Sequence, residues 1–164
     1  MKEPSITWFV RQDDDTEYQE DREYYAGTYN QDEDLVLNFM IWNNRYGSEA
    51  CEDLKNFGIT LSFDHEEDSV FLKYCQFLLN GNLWIVPQVV GNQATIQMPE
   101  NVILSGAINN GEATSADNYM TLRMIMTVPK SKNIKMNDLK GMTLYITSFW
   151  QTRKTRSIKQ QKRK

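Results

Sequence analysis

Few residues in this chain are of a type and spacing to do chemistry. The single histidine lies in Asp64-His65-Glu66-Glu67-Asp68, where an imidazole among carboxylates suggests a metal ion. The spacing matches no metal motif, so a solvated turn is expected instead. Asp13-Asp14-Asp15 offers oxygen ligands for Ca²⁺ but lacks the glycine and distal glutamate of a calcium-binding loop. Cys51 and Cys75 are the only 2 cysteines, and a closed zinc site takes about four Cys or His ligands. A nucleophilic cysteine needs a nearby base, and nothing brings His65 to either thiol, so both are expected to be free and inert. Ser105-Gly106 follows Leu104, where a nucleophile elbow requires a small residue. Asn109-Asn110-Gly111 reads as a turn and not as a phosphate cradle. No catalytic residue, metal or cofactor is expected, which favours a structural or binding module over an enzyme.

The charge distribution is the sharper signal. Residues 1–35 carry 11 acidic and 3 basic groups, residues 36–150 carry 11 and 8, and residues 151–164 carry 7 basic groups and none acidic. The net charge of −4 therefore hides a front of −8 and an end of +7. An acidic front and a basic end suggest head-to-tail contacts between copies, or two different partners. The basic cluster is Arg153, Lys154, Arg156, Lys159, Lys162, Arg163 and Lys164. Contact with nucleic-acid phosphates and pairing with acidic protein surfaces compete there with a merely solubilising role. No aromatic residue follows Trp150, which argues against base stacking. Within the acidic front, Tyr24, Tyr25 and Tyr29 are candidates to dock that segment onto a neighbour.

The elements that must position these groups read as strands. Leu35, Leu37, Phe39 and Ile41 alternate with Val36, Asn38, Met40 and Trp42; Phe57, Ile59, Leu61 and Phe63 alternate with Gly58, Thr60, Ser62 and Asp64. Met120 to Val128 and Met142 to Phe149 alternate in the same way. Residues 69–79 fit either a helical face or a strand, and the Asn80-Gly81 turn that follows favours the strand. Leu83 to Val86 is its hairpin partner, and Gly106 to Asn118 is a surface loop. Ser5 to Val10 is a short run able to pair as an edge strand. With 164 residues, 40% of them apolar, one domain with a real core is expected. The predicted fold is all-β: an antiparallel, immunoglobulin-like sandwich of roughly seven to nine strands with extended arms. Its bounds are an acidic N-terminal arm over 1–34, a core over 35–150 and a basic tail over 151–164. No apolar run reaches the roughly 20 residues that cross a bilayer, and Met1-Lys2-Glu3-Pro4-Ser5 does not read as a signal peptide.

One stretch carries a family likeness. It has Asn43-Asn44-Arg45-Tyr46-Gly47, Asp53-Leu54, the strand from Phe57 to Phe63, Glu67-Asp68-Ser69, Leu72-Lys73-Tyr74 and Asn80-Gly81. It resembles small virion proteins of tailed bacteriophages, in particular the auxiliary capsid proteins of crAss-like phages. The resemblance implies a multi-copy, non-enzymatic decoration protein on the phage head, made in the host cytoplasm. Its partners would be the major capsid protein and neighbouring virion subunits, with packaged DNA as a further partner for the basic tail. The same fold would serve as a neck or tail ring or adaptor around the portal. A carbohydrate-binding sandwich is a third reading, with Trp42, Trp84 or Trp150 stacking on sugar rings. Strand tryptophans among apolar neighbours are, however, more often core.

Overall fold

The structure is a computed structural model. It describes residues 1–13, 17, 18, 20, 32–113, 117–130 and 142–147, together with the backbone of Glu23–Tyr25 and Ser157–Gln161. The strands are β1 (Ile6–Arg11), β2 (Glu23–Tyr25), β3 (Asp34–Asn43), β4 (Gly58–Phe63), β5 (Cys75–Leu79), β6 (Leu83–Ile85), β7 (Gln88–Val90), β8 (Gln93–Gln97), β9 (Tyr119–Thr127), β10 (Met142–Thr147) and β11 (Ser157–Gln161). They form a five-stranded sheet, β1-β3-β9-β5-β6, and a six-stranded sheet, β2-β11-β10-β4-β8-β7. Every described pairing is antiparallel except that of β11 with β2.

Period-two alternation explains why the sheets stack. In β3, Leu35, Leu37, Phe39 and Ile41 lie opposite Met126, Met124, Leu122 and Met120 of β9. In β4, Ile59, Leu61 and Phe63 lie opposite Ile146, Leu144 and Met142 of β10. All of these belong to one buried apolar cluster, so each sheet turns one full face toward the other. Burying a side chain of this size contributes about 1.5–3 kcal/mol, and the layer between the sheets is the main source of stability.

Three expectations change. Ile6–Arg11, drawn inside an acidic arm, pairs along the whole of its length with β3 as the edge strand of the five-stranded sheet. Its Trp8 and Val10 are buried, and Trp8 meets Phe39 edge-on at 5.9 Å. The core therefore begins well before residue 35.

The second concerns residues 66–74, which form a 3-10 helix, Glu66–Tyr74, ahead of β5. A strand would send the consecutive Phe71 and Leu72 to opposite faces and leave one in water; the helical turn buries both. Phe71 then packs edge-on against Phe63 at 6.2 Å. The helix also takes Glu66, Glu67 and Asp68 in its first turn, where its dipole favours them.

The third concerns the tail. Ser157–Gln161 is a strand between β10 and β2, with Lys159 in register with Glu23. At that point the acidic front and the basic end of the chain meet within one sheet.

Candidate functional site

The residues singled out from the sequence do not converge. His65 precedes the 3-10 helix and lies 3.7 Å from Glu67, with both side chains largely exposed. Among the described residues no three His, Cys, Asp or Glu side chains group to hold a metal. Asp13 is committed elsewhere: its carboxylate accepts from Asn38 Nδ2 and from Arg123 Nη2, each at 2.7 Å. These bonds pin the start of the acidic segment across the outer face of the five-stranded sheet, where Asn38 and Arg123 are cross-strand partners. Asp14 and Asp15 lie outside the described residues.

Tyr24, Tyr25 and Lys159 lie on β2 and β11. Tyr29, Arg153, Lys154, Arg156, Lys162, Arg163, Lys164 and Trp150 lie outside the described residues. Of the other candidate tryptophans, Trp42 is fully buried and Trp84 is 54% exposed.

Both cysteines are free and buried. Cys51 Sγ donates to Asn43 Oδ1 at 3.3 Å, and burial raises its pKa above the usual thiol value. A protonated, shielded thiol is a poor nucleophile. Iodoacetamide at neutral pH is expected to leave both cysteines unmodified in the folded protein and to label them on unfolding. Fast labelling of Cys51 in the native state would contradict this assignment.

At one end of the sandwich the β3–β4 and β8–β9 loops are tied together by asparagines. Asn43 Nδ2 donates to Glu52 O (2.9 Å) and Leu104 O (3.0 Å), while its Oδ1 accepts from Ser5 N (2.9 Å). Asn44 Nδ2 donates to Glu49 O and Gly106 O. Asn118 Nδ2 reaches Ser105 O (2.7 Å) and Ala107 O (2.8 Å). The Asn109-Asn110-Gly111 turn forms as read: Asn109 Oδ1 accepts from Gly111 N, and Asn110 Oδ1 from Glu112 N. Arg45 caps this end, with its guanidinium 4.6 Å from the Phe9 ring, 4.8 Å from Trp42 and 5.0 Å from Tyr46. Its Nε donates to Gly111 O at 3.0 Å. The stack continues outward, with Tyr119 lying on Trp42 at 5.0 Å and 25°. The Asn43-Asn44-Arg45-Tyr46-Gly47 turn was legible; its long-range partners were not, since they lie some sixty residues away in sequence.

Two open surfaces stand out among the described residues. The first is a cleft of about 660 Å³ beside this end of β9, lined by Asn80, Ile103, Ser105, Asp117, Tyr119 and Thr121. The second is the sandwich edge formed by β6 and β7. These are the outermost strands of the two sheets, joined through Val86 and the buried Pro87. Leu83 (43%), Trp84 (54%), Val86 (84%), Val89 (41%) and Val90 (69%) are all exposed there. Sequence reasoning took Leu83 to Val86 only as a hairpin partner. The signal it passed over is the loss of alternation in Leu83-Trp84-Ile85-Val86 and again in Val89-Val90.

No family model matches the chain, and no curated protein does. Among solved structures, three similarities are faint. AvmM, which catalyses macrocyclization in alchivemycin A biosynthesis, is 8% identical over 89% of this chain and 72% of that one, with a TM-score of 0.39. The N-terminal domain of the Streptococcus gordonii adhesin Sgo0707 is 8% identical over 94% of this chain and 32% of the adhesin chain, at 0.45. A family 123 glycoside hydrolase from Clostridium perfringens is 6% identical over 97% of this chain and 26% of the hydrolase, at 0.46. The chain thus spans about a third of the adhesin chain and a quarter of the hydrolase.

Proposed function

We propose that this protein is a non-enzymatic structural component of a tailed-phage particle. In this reading it is an auxiliary capsid protein that seats its β6–β7 edge on the major capsid protein lattice. The observation that carries the reading is the exposed apolar edge. Several large apolar side chains exposed along one edge are the kind of surface that marks an interaction site. An edge strand also offers unpaired backbone groups to a partner, and proteins that stay single usually blunt such edges with charge. Here, from Leu83 to Val90, no residue is charged. Pro87 is buried where the chain passes from β6 to β7, and its ring restricts φ at that point.

No membrane partner is part of this proposal; no helix among the described residues is long and apolar enough to cross one. The basic groups of residues 151–164 are a second proposed contact, beside a backbone that is paired on both sides over Ser157–Gln161. Repetition over a lattice multiplies a modest contact at each copy.

The test is co-sedimentation of the full-length protein with empty shells of the major capsid protein. Wild type is expected to pellet with the shells. Trp84→Ser combined with Val90→Ser is expected to bind at least about tenfold more weakly at unchanged melting temperature, because centrally buried aromatics dominate interface energies. If wild type fails to pellet with shells, the capsid reading is wrong. If the double variant pellets as well as wild type, the edge is not the docking surface. Assembly of the protein alone into a closed ring would favour the neck or tail position instead.

A further inference from the structure

We propose that the cleft beside β9 is a binding site for a neutral sugar ring. The cleft exists because β5 is shorter than the strand it pairs with. β9 pairs with β5 from Met126 to Leu122, and the last link is Asn80, whose N donates to Thr121 O at 2.9 Å. Tyr119 lies beyond that point. It has Trp42 of β3 as its partner on one side and no β5 residue on the other. Its ring rests on Trp42 and also lines the cleft. Backed by a buried indole, the ring is a rigid platform at low entropic cost, of the kind that stacks on the apolar face of a pyranose.

The chain segments around the platform are tied in place before any ligand arrives. Asn80 holds φ +48° and clamps Thr121: its side-chain Oδ1 accepts from Thr121 N at 2.9 Å, which leaves Nδ2 to donate elsewhere. Ser105 N donates to Asp117 O at 3.1 Å, which couples the two chain segments that carry those residues. Asn118 then holds Ser105 and Ala107 through their carbonyls. The lining therefore presents one carboxylate, one carboxamide, two aliphatic hydroxyls, a phenol and the half-exposed Ile103. A carboxylate and an amide supply an acceptor and a donor for sugar hydroxyls, and an aromatic face offers a surface to the ring. Among the described residues no lysine or arginine lines the cleft, and the charge they present there is that of Asp117, which disfavours phosphate and acidic sugars. The volume, about 660 Å³, lies within the roughly 300–1,000 Å³ typical of small-ligand sites.

This inference does not rest on the capsid reading, although display of many copies would turn weak single-site binding into avidity. The experiment is a titration of full-length protein, by NMR or calorimetry, with neutral trisaccharides of glucose, galactose, mannose and N-acetylglucosamine. A sialylated trisaccharide and a diamine are the charged comparators. At least one neutral sugar is expected to bind, and to bind more tightly than either comparator. Asp117→Ala and Thr121→Val are each expected to weaken that binding about tenfold, the order of loss for removing one hydrogen bond to the ligand. Tyr119→Leu is expected to abolish it. Should Tyr119→Leu lower the melting temperature through the lost Trp42 stack, the two polar variants carry the test alone. Val90→Ser, on β7 of the other sheet, is expected to leave sugar binding unchanged, which separates this site from the proposed shell contact. Absence of binding by all four neutral sugars, preference for a charged comparator, or binding that survives both polar variants would each overturn the proposal.

Discussion

Asn43→Asp is expected to cost about 3–5 kcal/mol and to lower the melting temperature by roughly 10 °C, at the usual scale of about 2–4 °C per kcal/mol for a chain of this size. The substitution keeps the shape of the side chain and its Oδ1 acceptor. It replaces the NH₂ group by a second oxygen. That oxygen would face Glu52 O and Leu104 O, now 2.9 and 3.0 Å from the donor. Both carbonyls lose this donor, although Leu104 O keeps Leu54 N at 2.9 Å, and a carboxylate is pressed against them in a site with no solvent exposure. A buried carboxylate escapes part of this cost by taking up a proton. Its folded-state pKa is then raised above its unfolded value, so the variant binds more protons folded than unfolded. The defect is therefore expected to shrink as pH falls toward 4 and to grow toward neutrality. Thermal melts of wild type and variant across that range measure it. Equal stability at neutral pH would show that the asparagine network is dispensable.

The contrast between what the sequence disclosed and what it withheld follows from the range of the interactions. Strand alternation is a local property. Leu35 to Ile41 and Ile59 to Phe63 announced their buried faces because every second side chain must face the core, and the sandwich followed. Residues 69–79 were ambiguous because Val70, Phe71, Tyr74, Phe77 and Leu78 suit a helical face while the following turn suits a strand, and the stretch proves to hold both, the end of the 3-10 helix and then β5. Ile6–Arg11 was legible as an edge strand. Its place in the core was not, because the acidic residues that follow coloured the whole segment. Asp13 shows why that colouring misled: its charge is spent on Arg123, 110 residues away. The basic end misled in the same way, since charge density says nothing about backbone pairing. Ser157–Gln161 is a strand although its composition reads as a tail.

The candidate sites were least legible of all. Asn80, Ser105, Asp117 and Tyr119 come from three separate segments, each of which reads alone as an ordinary turn or loop. Their convergence depends on β5 ending before β9 does, a difference in strand length that no local pattern encodes. The apolar edge was within reach of sequence reasoning, through its broken alternation. What the sequence lacked was the sheet order that makes both β6 and β7 outermost.

Gly106→Ala is expected to be strongly destabilising, at about 3 kcal/mol or more, the upper end of what overpacking costs. A Cβ built on Gly106 would sit 2.0 Å from Cys51 O and 2.6 Å from Cys51 C. Both are backbone atoms, so no side-chain rotation relieves the overlap. The backbone cannot easily retreat either, because Gly106 is held on both of its polar groups. Its N donates to Asp53 Oδ1 at 2.9 Å, and its O accepts from Cys51 N at 2.9 Å and Asn44 Nδ2 at 2.8 Å. Opening the contact by the ångström that a methyl needs would stretch all three bonds and loosen the loop that carries Ser105 into the cleft. Gly81→Ala is the matched comparison. Gly81 holds φ +77° with nothing within 4 Å of an added Cβ, so only left-handed strain of about 1–2 kcal/mol is incurred. Urea titrations of the two variants separate steric overlap from backbone strain. Gly106→Ala is expected to shift the midpoint clearly further, and it alone is expected to expose Cys51 to alkylation. Equal midpoints for the two variants, with Cys51 still protected, would mean that the loops at this end of the sandwich give way freely.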